Sequence, residues 1–311
     1  MNKRIGVTYR DGHEGKNRLS FQRVFYTKDI KDLHHSTACD FDQFLIDDRG
    51  CGWFTEKAPS NQTTSRIFIF SAKGDLLKTH VVVGKPTLYE CDGQAVIAAC
   101  EGTDGKGYIY RFDKECLEPV AQWVIDGFLW DLEWVNDVLY ITSYRARDGL
   151  AVLSIANRDK IKDIALGRGM FPVGVLRKPD ALYIAFSFIA SGKTGKVARY
   201  DDTGCLIDET MIDSAPRQMF AYKEWLVLHG MDMTKGIADE LVYVNPKDGS
   251  QKAYKIPKAI DLRAQGRHLL LYHRDGETVL YWSHEKRKII RMMHLPPRME
   301  AHDVKGLQEY R

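Results

Sequence analysis

Three aspartates stand where short apolar segments begin, in three distant parts of the chain: Asp131, Asp261 and Asp303. Calcium and other hard cations take roughly six to eight oxygen ligands, so carboxylates that converge from several segments can bind such an ion. Carboxylates at strand starts can equally cap backbone amides or remain solvated. A divalent-cation site with these three ligands, and with Ca²⁺ as its ion, is therefore a prediction that depends on whether the side chains converge.

Histidines form a second set of residues that can do chemistry. His229 and His273 end apolar segments, and His302 precedes one. An imidazole titrates near neutral pH, so it can act as a general acid or base or bind a metal. The alternative is that each ring fills a half-buried position and hydrogen-bonds to nearby backbone. His229, His273 and His302 are the candidate catalytic residues, although the sequence does not fix their mutual distances.

Several polar loops are longer than a hairpin requires, and they carry basic residues. Long loops held on one side of a rigid scaffold are typical of recognition surfaces. Solvated loop charge is the alternative for the basic residues, and core packing is the alternative for the tryptophan near them. The residues predicted to bind a ligand are Trp130, Arg145, Arg147, Lys193 and Lys235.

These residues need a scaffold that brings distant segments together, and an internal repeat supplies one. An apolar segment recurs with spacings of 43, 44, 43, 43 and 45 residues, each time followed by a Gly/Asp-rich loop and a second strand-like segment. The repeat is anchored at Trp53, Val96, Tyr140, Tyr183, Leu226 and Leu271. A period in this range, made only of strands, is the signature of a β-propeller blade. The repeat predicts an all-β fold of four-stranded antiparallel blades.

Six complete repeats and the two chain ends predict a single seven-bladed β-propeller domain over residues 1–311. The complete blades are expected at residues 37–84, 85–126, 127–168, 169–214, 215–258 and 259–297. The closing blade combines residues 298–311 with 1–36; its four strands are expected at 302–307, 5–9, 19–26 and 29–33. Pairing of the N- and C-terminal strands would close the ring and remove exposed sheet edges. A six-bladed propeller is the alternative.

Two blades carry a resemblance to known repeat families. The segments Val173-Gly174-Val175-Leu176 and Arg66-Ile67-Phe68-Ile69-Phe70, with their Pro-, Asp- and Gly-containing turns, belong to blades that resemble repeats of the NHL and YVTN propellers. The segment Gly52-Trp53-Phe54-Thr55-Glu56 is similar to a strand of the streptogramin lyase group. The resemblance covers about two blades and implies the fold only.

Composition narrows the function classes. The 311 residues are 44% hydrophobic and 28% charged, which is ordinary for a globular protein, and the net charge of +3 is too small to indicate nucleic-acid binding. No apolar run approaches the roughly 20 residues of a membrane helix. The N-terminus has no apolar run typical of a signal peptide, and the six cysteines lack CxxC spacing. We therefore expect free thiols, a cytoplasmic location and no membrane partner.

Two function classes remain open. In the first, the protein is a non-catalytic β-propeller scaffold that binds a protein partner or a small ligand with the loops of one face. In the second, it is a metal-assisted hydrolase, lactonase or lyase with its site at the channel mouth, where the aspartates hold the ion and a histidine moves the proton. The absence of a specific catalytic motif favours the first class, and the enzyme question stays open.

Overall fold

The computed structural model describes the backbone at residues 4–8, 19–24, 30–35, 41–56, 62–71, 75–91, 93–157, 160–265, 267–273, 278–294 and 306–310. Every described element is a β-strand. In this part of the chain, no helix has the length and apolar character needed to cross a membrane. The all-β prediction is therefore confirmed.

The strands form six four-stranded antiparallel sheets and two two-stranded sheets within the described residues. The N-terminal strands are β1 (Arg4–Thr8), β2 (Leu19–Val24) and β3 (Ile30–His35). The first four-stranded sheet contains β4 (Phe41–Ile46), β5 (Gly52–Glu56), β6 (Thr64–Phe70) and β7 (Leu76–Val83). The second contains β8 (Lys85–Cys91), β9 (Ala95–Glu101), β10 (Lys106–Asp113) and β11 (Pro119–Asp126).

The other four-stranded sheets repeat this order, in which each strand pairs with the next along the chain. The third contains β12 (Phe128–Val135), β13 (Val138–Arg145), β14 (Leu150–Asn157) and β15 (Lys160–Arg168). The fourth contains β16 (Met170–Lys178), β17 (Ala181–Phe188), β18 (Gly195–Tyr200) and β19 (Leu206–Ile212). The fifth contains β20 (Ala215–Tyr222), β21 (Trp225–Asp232), β22 (Ile237–Val244) and β23 (Gln251–Lys255). The sixth contains β24 (Ala259–Gln265), β25 (His268–His273), β26 (Thr278–Ser283) and β27 (Lys288–His294).

The terminal strands pair across the two chain ends. The last strand, β28 (Gly306–Tyr310), is antiparallel to β1, with Ile5 opposite Glu309, and β2 pairs separately with β3. These four strands form two two-stranded sheets instead of one four-stranded sheet. The seven-blade count and the closure of the ring therefore stay predictions, as does the expected first strand at 302–307, most of which lies outside the described residues.

The chain divides into two compact units. The first, called unit 1, comprises residues 1–124, 270–281 and 290–311, and the second, called unit 2, comprises residues 125–269 and 282–289. The prediction of one domain over 1–311 stays a prediction.

Each unit has apolar layers between successive sheets. In unit 1, Trp53 packs edge-on against Phe112, with ring centroids 5.7 Å apart, in a buried cluster drawn from the first two sheets. In unit 2, β17 is buried along almost its whole length because apolar side chains on its two faces enter two different clusters. The outermost strand β19, by contrast, is mostly exposed. Burial on both faces explains why the second strand of each repeat is the clearest apolar segment in the sequence.

A buried aspartate organises the turn between β4 and β5 in unit 1. The two carboxylate oxygens of Asp47 accept hydrogen bonds from Arg49 N–H (3.0 Å), Cys51 N–H (2.8 Å) and the indole Nε1–H of Trp53 (3.0 Å). Asp47 is only 4% exposed and Trp53 is fully buried. The carboxylate therefore satisfies a core tryptophan and closes the turn at the same time.

Replacing this carboxylate is expected to destabilise the fold strongly. Asp47→Ala leaves the buried Trp53 N–H without its acceptor, and we expect a loss of about 3 kcal/mol in the free energy of unfolding, measured by urea denaturation. Asp75→Ala is the matched control, because Asp75 is exposed and accepts from Ser71 in the same sheet. Equal losses in the two variants would contradict this role for Asp47.

Candidate functional site

The loops at one end of the sheets in unit 2 form what is called here the loop face. They join the last strand of one sheet to the first of the next, and the second strand to the third. They comprise residues 126–128, 145–150, 168–170, 188–195, 212–215, 232–237 and 255–259. In a meander of antiparallel strands these connections lie at the same end, so the sheet order places them together.

The first strands of three successive sheets bulge beside the loop face. The register of β12, β16 and β20 with their neighbours shifts between Leu129 and Asp131, between Pro172 and Gly174, and between Pro216 and Gln218. The extra residues are Trp130, Val173 and Arg217. A bulge re-aims the side chain it carries, and bulges are common next to functional sites.

The bulge in β12 leaves an aromatic side chain exposed on a packed support. Trp130 is 41% exposed, and its ring centroid lies 4.9 Å from that of Phe171. Tyr144, on the adjacent strand β13, also contacts Phe171 edge-on, with ring centroids 4.7 Å apart. Trp130 was predicted as a ligand-binding residue, and this placement leaves its indole available to a partner. A ligand-binding role for Trp130 stays a prediction.

The basic residues that were predicted to bind a ligand lie on the loop face, and each already forms an ion pair with a carboxylate. Arg147 contacts Asp126 at 2.6 Å, and Arg145 lies 3.7 Å from Asp126 and 3.4 Å from Asp148. Arg145 is the less exposed of the two arginines. Because both arginines share Asp126, this network holds the 145–150 loop against the end of β11.

The two predicted lysines share a single aspartate. Lys193 and Lys235 lie 3.9 Å and 3.7 Å from Asp232, and both lysine side chains are more than half exposed. Exposed pairs at these distances contribute little to stability. The backbone connects the same loops, because Met233 N–H donates to the carbonyl of Gly192 at 2.8 Å. The two loops that carry these lysines are therefore joined by a backbone hydrogen bond.

Two carboxylates on β12 bond to the backbone of β16. Asp131 Oδ2 accepts from Val175 N–H at 2.9 Å, and Glu133 accepts from Arg177 N–H. Burial raises the pKa of Asp131 to about 7, although the Val175 N–H opposes the shift. Burial likewise raises the pKa of Glu133 to about 7; the Arg177 N–H opposes this, and the neighbouring Asp131 charge adds to it. The pair thus links two successive first strands and titrates near neutral pH.

The structure describes only part of the predicted metal site. Asp131 is committed to the backbone of β16 through one oxygen. The side chain of Asp261 and all of Asp303 lie outside the described residues. Among the residues whose side chains are described, no group of three or more His, Cys, Asp or Glu is arranged to hold a metal ion. The Asp131, Asp261 and Asp303 site therefore stays a prediction.

The candidate catalytic histidines occupy different environments. His229 is fully buried in β21, and neither ring nitrogen has a hydrogen bond of good geometry within the described structure. Burial lowers the pKa of His229 to about 3, helped by the charge of Arg217 and opposed by the backbone of Ala238. A neutral, enclosed imidazole does not reach solvent. His273 is half-buried in β25, and His302 lies outside the described residues, so a catalytic role for the three stays a prediction.

A further buried histidine in unit 2 is structural. His284 Nδ1 lies 2.8 Å from the Tyr243 hydroxyl, which also accepts from the indole of Trp282 at 2.7 Å. Tyr222 stacks on the His284 ring at 4.3 Å. Burial lowers the pKa of His284 to about 4, so this imidazole is a neutral member of a satisfied polar core.

Several residues of the site were not predicted from the sequence. Phe171 and Tyr144 support Trp130, and Glu133 joins Asp131 in the bond to β16. Glu133 was findable, because residues two apart on a strand share a face. The partnership of Trp130 with Phe171 depends on the bulge, which no residue in the sequence marks.

Comparisons with known proteins define the class. No protein-family model matches the chain, and no curated protein matches it. A solved protein from Lactobacillus plantarum aligns over 100% of both chains with a TM-score of 0.65 and 12% identity. The dihydro-heme d1 dehydrogenase NirN, solved with DHE, aligns over 97% of this chain and 67% of its own with a TM-score of 0.62 and 12% identity.

A third similar structure comes from a protein complex. The nidogen/laminin complex contains a chain that aligns over 99% of this chain and 98% of its own, with a TM-score of 0.53 and 11% identity. These neighbours are β-propeller proteins, and the generic propeller prediction is confirmed. At these identities the likeness shows the fold and no particular family. The NHL, YVTN and streptogramin lyase similarities stay resemblances.

Proposed function

We propose that this β-propeller is a non-catalytic scaffold that binds a protein partner on the loop face. The observation that carries the proposal is the exposed indole of Trp130 on its Phe171 and Tyr144 support. Tryptophan, tyrosine and arginine are enriched among the few residues that dominate binding energy at protein interfaces. An aromatic side chain already held in place loses little conformational freedom when a partner covers it.

More apolar surface accompanies Trp130 on the loop face. Phe128, Ile189 and Met233 are exposed by 42%, 41% and 39%. They belong to the connections of three different sheets, so they are spread over a surface. Ile189 N–H donates to the carbonyl of Gly169 at 3.0 Å, which fixes one of these loops to the start of β16. A spread, preformed apolar surface suits a protein chain better than a small ligand.

The similar structures support a partner in general. The nidogen match comes from a complex with laminin, and NirN was solved with DHE. We also propose that β28, β1, β2 and β3 make a seventh blade, which the β1–β28 pairing supports. A cytoplasmic location remains part of the proposal on sequence grounds alone.

A binding selection tests the proposal. A random dodecapeptide library on phage, panned on the immobilised protein, is expected to yield peptides that bind Trp130→Ala at least about 30-fold more weakly than wild type. The affinities are measured by biolayer interferometry with the synthesised peptides. Trp130→Phe should retain most of the affinity, since it keeps an aromatic contact with Phe171.

The control is an exposed apolar residue away from the loop face. Leu206→Ala, in the outer strand β19, removes a side chain that is 53% exposed and should leave peptide affinity unchanged. Circular dichroism checks that each variant is folded. Failure to enrich any peptide, or peptides that bind Trp130→Ala as well as wild type, would overturn the proposal.

The enzyme alternative keeps one observation in its favour, because groups with strongly raised pKa values such as Asp131 and Glu133 cluster at functional sites. Both carboxylates already accept backbone hydrogen bonds, so we expect millimolar CaCl₂, MnCl₂ or ZnCl₂ to change the melting temperature by less than about 1 °C. Differential scanning fluorimetry measures this. A rise that EDTA reverses and Asp131→Asn removes would favour the metal-assisted hydrolase, lactonase or lyase instead.

A further inference from the structure

The loop face carries an excess of positive charge. Its connections contain seven basic residues, Arg145, Arg147, Arg168, Lys193, Lys235, Lys255 and Lys258, and four acidic residues, Asp126, Asp148, Asp213 and Asp232. The resulting net charge of +3 equals that of the whole chain. Arg217, in the bulge of β20, stands beside the loops and adds another exposed cation.

Part of this positive charge is balanced by ion pairs, since Arg145 and Arg147 contact Asp126 and Lys255 lies 3.4 Å from Asp239 and 3.5 Å from Glu240 on β22. The rest has fewer carboxylates than cations. Lys193 and Lys235 share one carboxylate, that of Asp232. Arg168 and Arg217 are exposed and form no ion pair with a residue that the structure describes. Lys193 shares its connection with the exposed Ile189, and Lys235 shares its connection with the exposed Met233. Arg217 occupies the bulge of β20 that corresponds to the bulge of Trp130 in β12.

We propose that the partner presents an acidic segment with an aromatic or aliphatic anchor, which packs on Trp130 while its carboxylates meet the loop cations. This inference rests on the proposed function and names the chemistry of the partner for the same face. Complementary potentials select partners and speed their encounter, whereas the desolvated apolar anchor supplies most of the affinity. The loop cations alone would suit any polyanion. Because exposed apolar side chains accompany them, the surface as a whole suits an acidic protein segment.

The peptides from the phage selection test the charge requirement. The enriched pool is expected to carry net negative charge and at least one aromatic or aliphatic residue. A selected peptide is then compared with its amide version, in which every Asp and Glu is replaced by Asn and Gln, by fluorescence anisotropy. We expect the amide version to bind about tenfold more weakly, and the difference to shrink between about 50 and about 300 mM NaCl.

Matched protein variants locate the cations. Lys193→Gln with Lys235→Gln should weaken binding of the acidic peptide several-fold. Lys247→Gln with Lys286→Gln removes the same charge from exposed turns at the other end of the sheets, and this variant should bind like wild type. Oligothymidylate of similar length provides the nucleic-acid arm and should bind weakly to all variants.

The outcomes separate the two proposals. Selected peptides that need Trp130 but are neutral or basic, or that bind equally as amides, would overturn the acidic segment and leave the binding scaffold standing. Oligothymidylate binding that is as tight as that of the peptide and sensitive to the Lys193 and Lys235 changes would also overturn it. A selection that enriches no peptide overturns both proposals.

Discussion

At about pH 8, a variant carrying Asp131→Asn and Glu133→Gln is expected to resist urea better than the wild-type protein, and this advantage should shrink as the pH falls to about 5.5. The amide oxygens can still accept the N–H bonds of Val175 and Arg177. They carry no charge for burial to oppose. The change therefore keeps the link between β12 and β16 and removes its pH dependence.

The direction follows from the raised pKa values. Both carboxyl groups have a folded pKa of about 7, against ordinary values of 3.8 for Asp and 4.5 for Glu. In this range the folded protein keeps protons that the unfolded chain has released. These bound protons stabilise the folded protein. The stabilisation is fully present below the pKa values of the unfolded chain and is lost as the pH rises through the folded pKa. Between about pH 5.5 and about pH 8 the wild type should lose about 2 kcal/mol of unfolding free energy for each of the two groups, or about 4 kcal/mol in all, relative to the variant.

Urea denaturation at several pH values measures the free energy of unfolding of both proteins. The titration of other groups affects both equally, so it cancels in the difference between them. Asp201→Asn is the control. The Thr203 hydroxyl and the Cys205 N–H lower the pKa of Asp201, so its carboxylate is ionised throughout this pH range. The Asp201→Asn difference should stay constant. Parallel curves for wild type and the double variant would show that Asp131 and Glu133 are not protonated near neutral pH.

The repeat made the sheets predictable because the second strand of each repeat is apolar on both faces. Tyr183, an anchor of the repeat, is buried in β17, which extends from Ala181 to Phe188. Turn residues such as Asp201 mark the connections because their side chains bond the backbone two and four residues on. Features of this kind depend on residues that are close together in the sequence, so they can be predicted from it.

The site was less predictable because it depends on pairing between strands. The bulge that exposes Trp130 arises where β12 and β13 fall out of register, and no turn residue marks it. The bond from Asp131 to Val175 spans two sheets, so the aspartate pattern alone suggested an ion site instead. Arg145 and Arg147 were recognised as loop cations, but their shared partner Asp126 precedes the neighbouring strand and was not. Side-chain partners across sheets require the fold first.

Gly195→Ala is expected to destabilise the protein by about 3 kcal/mol or more. Gly195 begins β18, opposite Ser187 of β17 and Ile212 of β19. A Cβ atom there would fall well inside van der Waals contact with the carbonyl oxygen of Phe186 and with the ring of Pro216. These are backbone and ring atoms that cannot rotate away, so the strands themselves would have to separate. Urea denaturation measures the loss.

Gly236→Ala is the matched control on the same face. Gly236 has a positive φ of +62°, and a Cβ there meets no atom within 4 Å, so only backbone strain of about 1 kcal/mol opposes the change. A similar loss in the two variants would show that packing around Gly195 is not the constraint. Gly195 also ends the 188–195 loop, whose Gly192 carbonyl holds Met233. If Gly195→Ala protein folds at low temperature, it should therefore bind the selected peptides more weakly than wild type, because the strain disturbs the loops that carry Lys193 and Lys235.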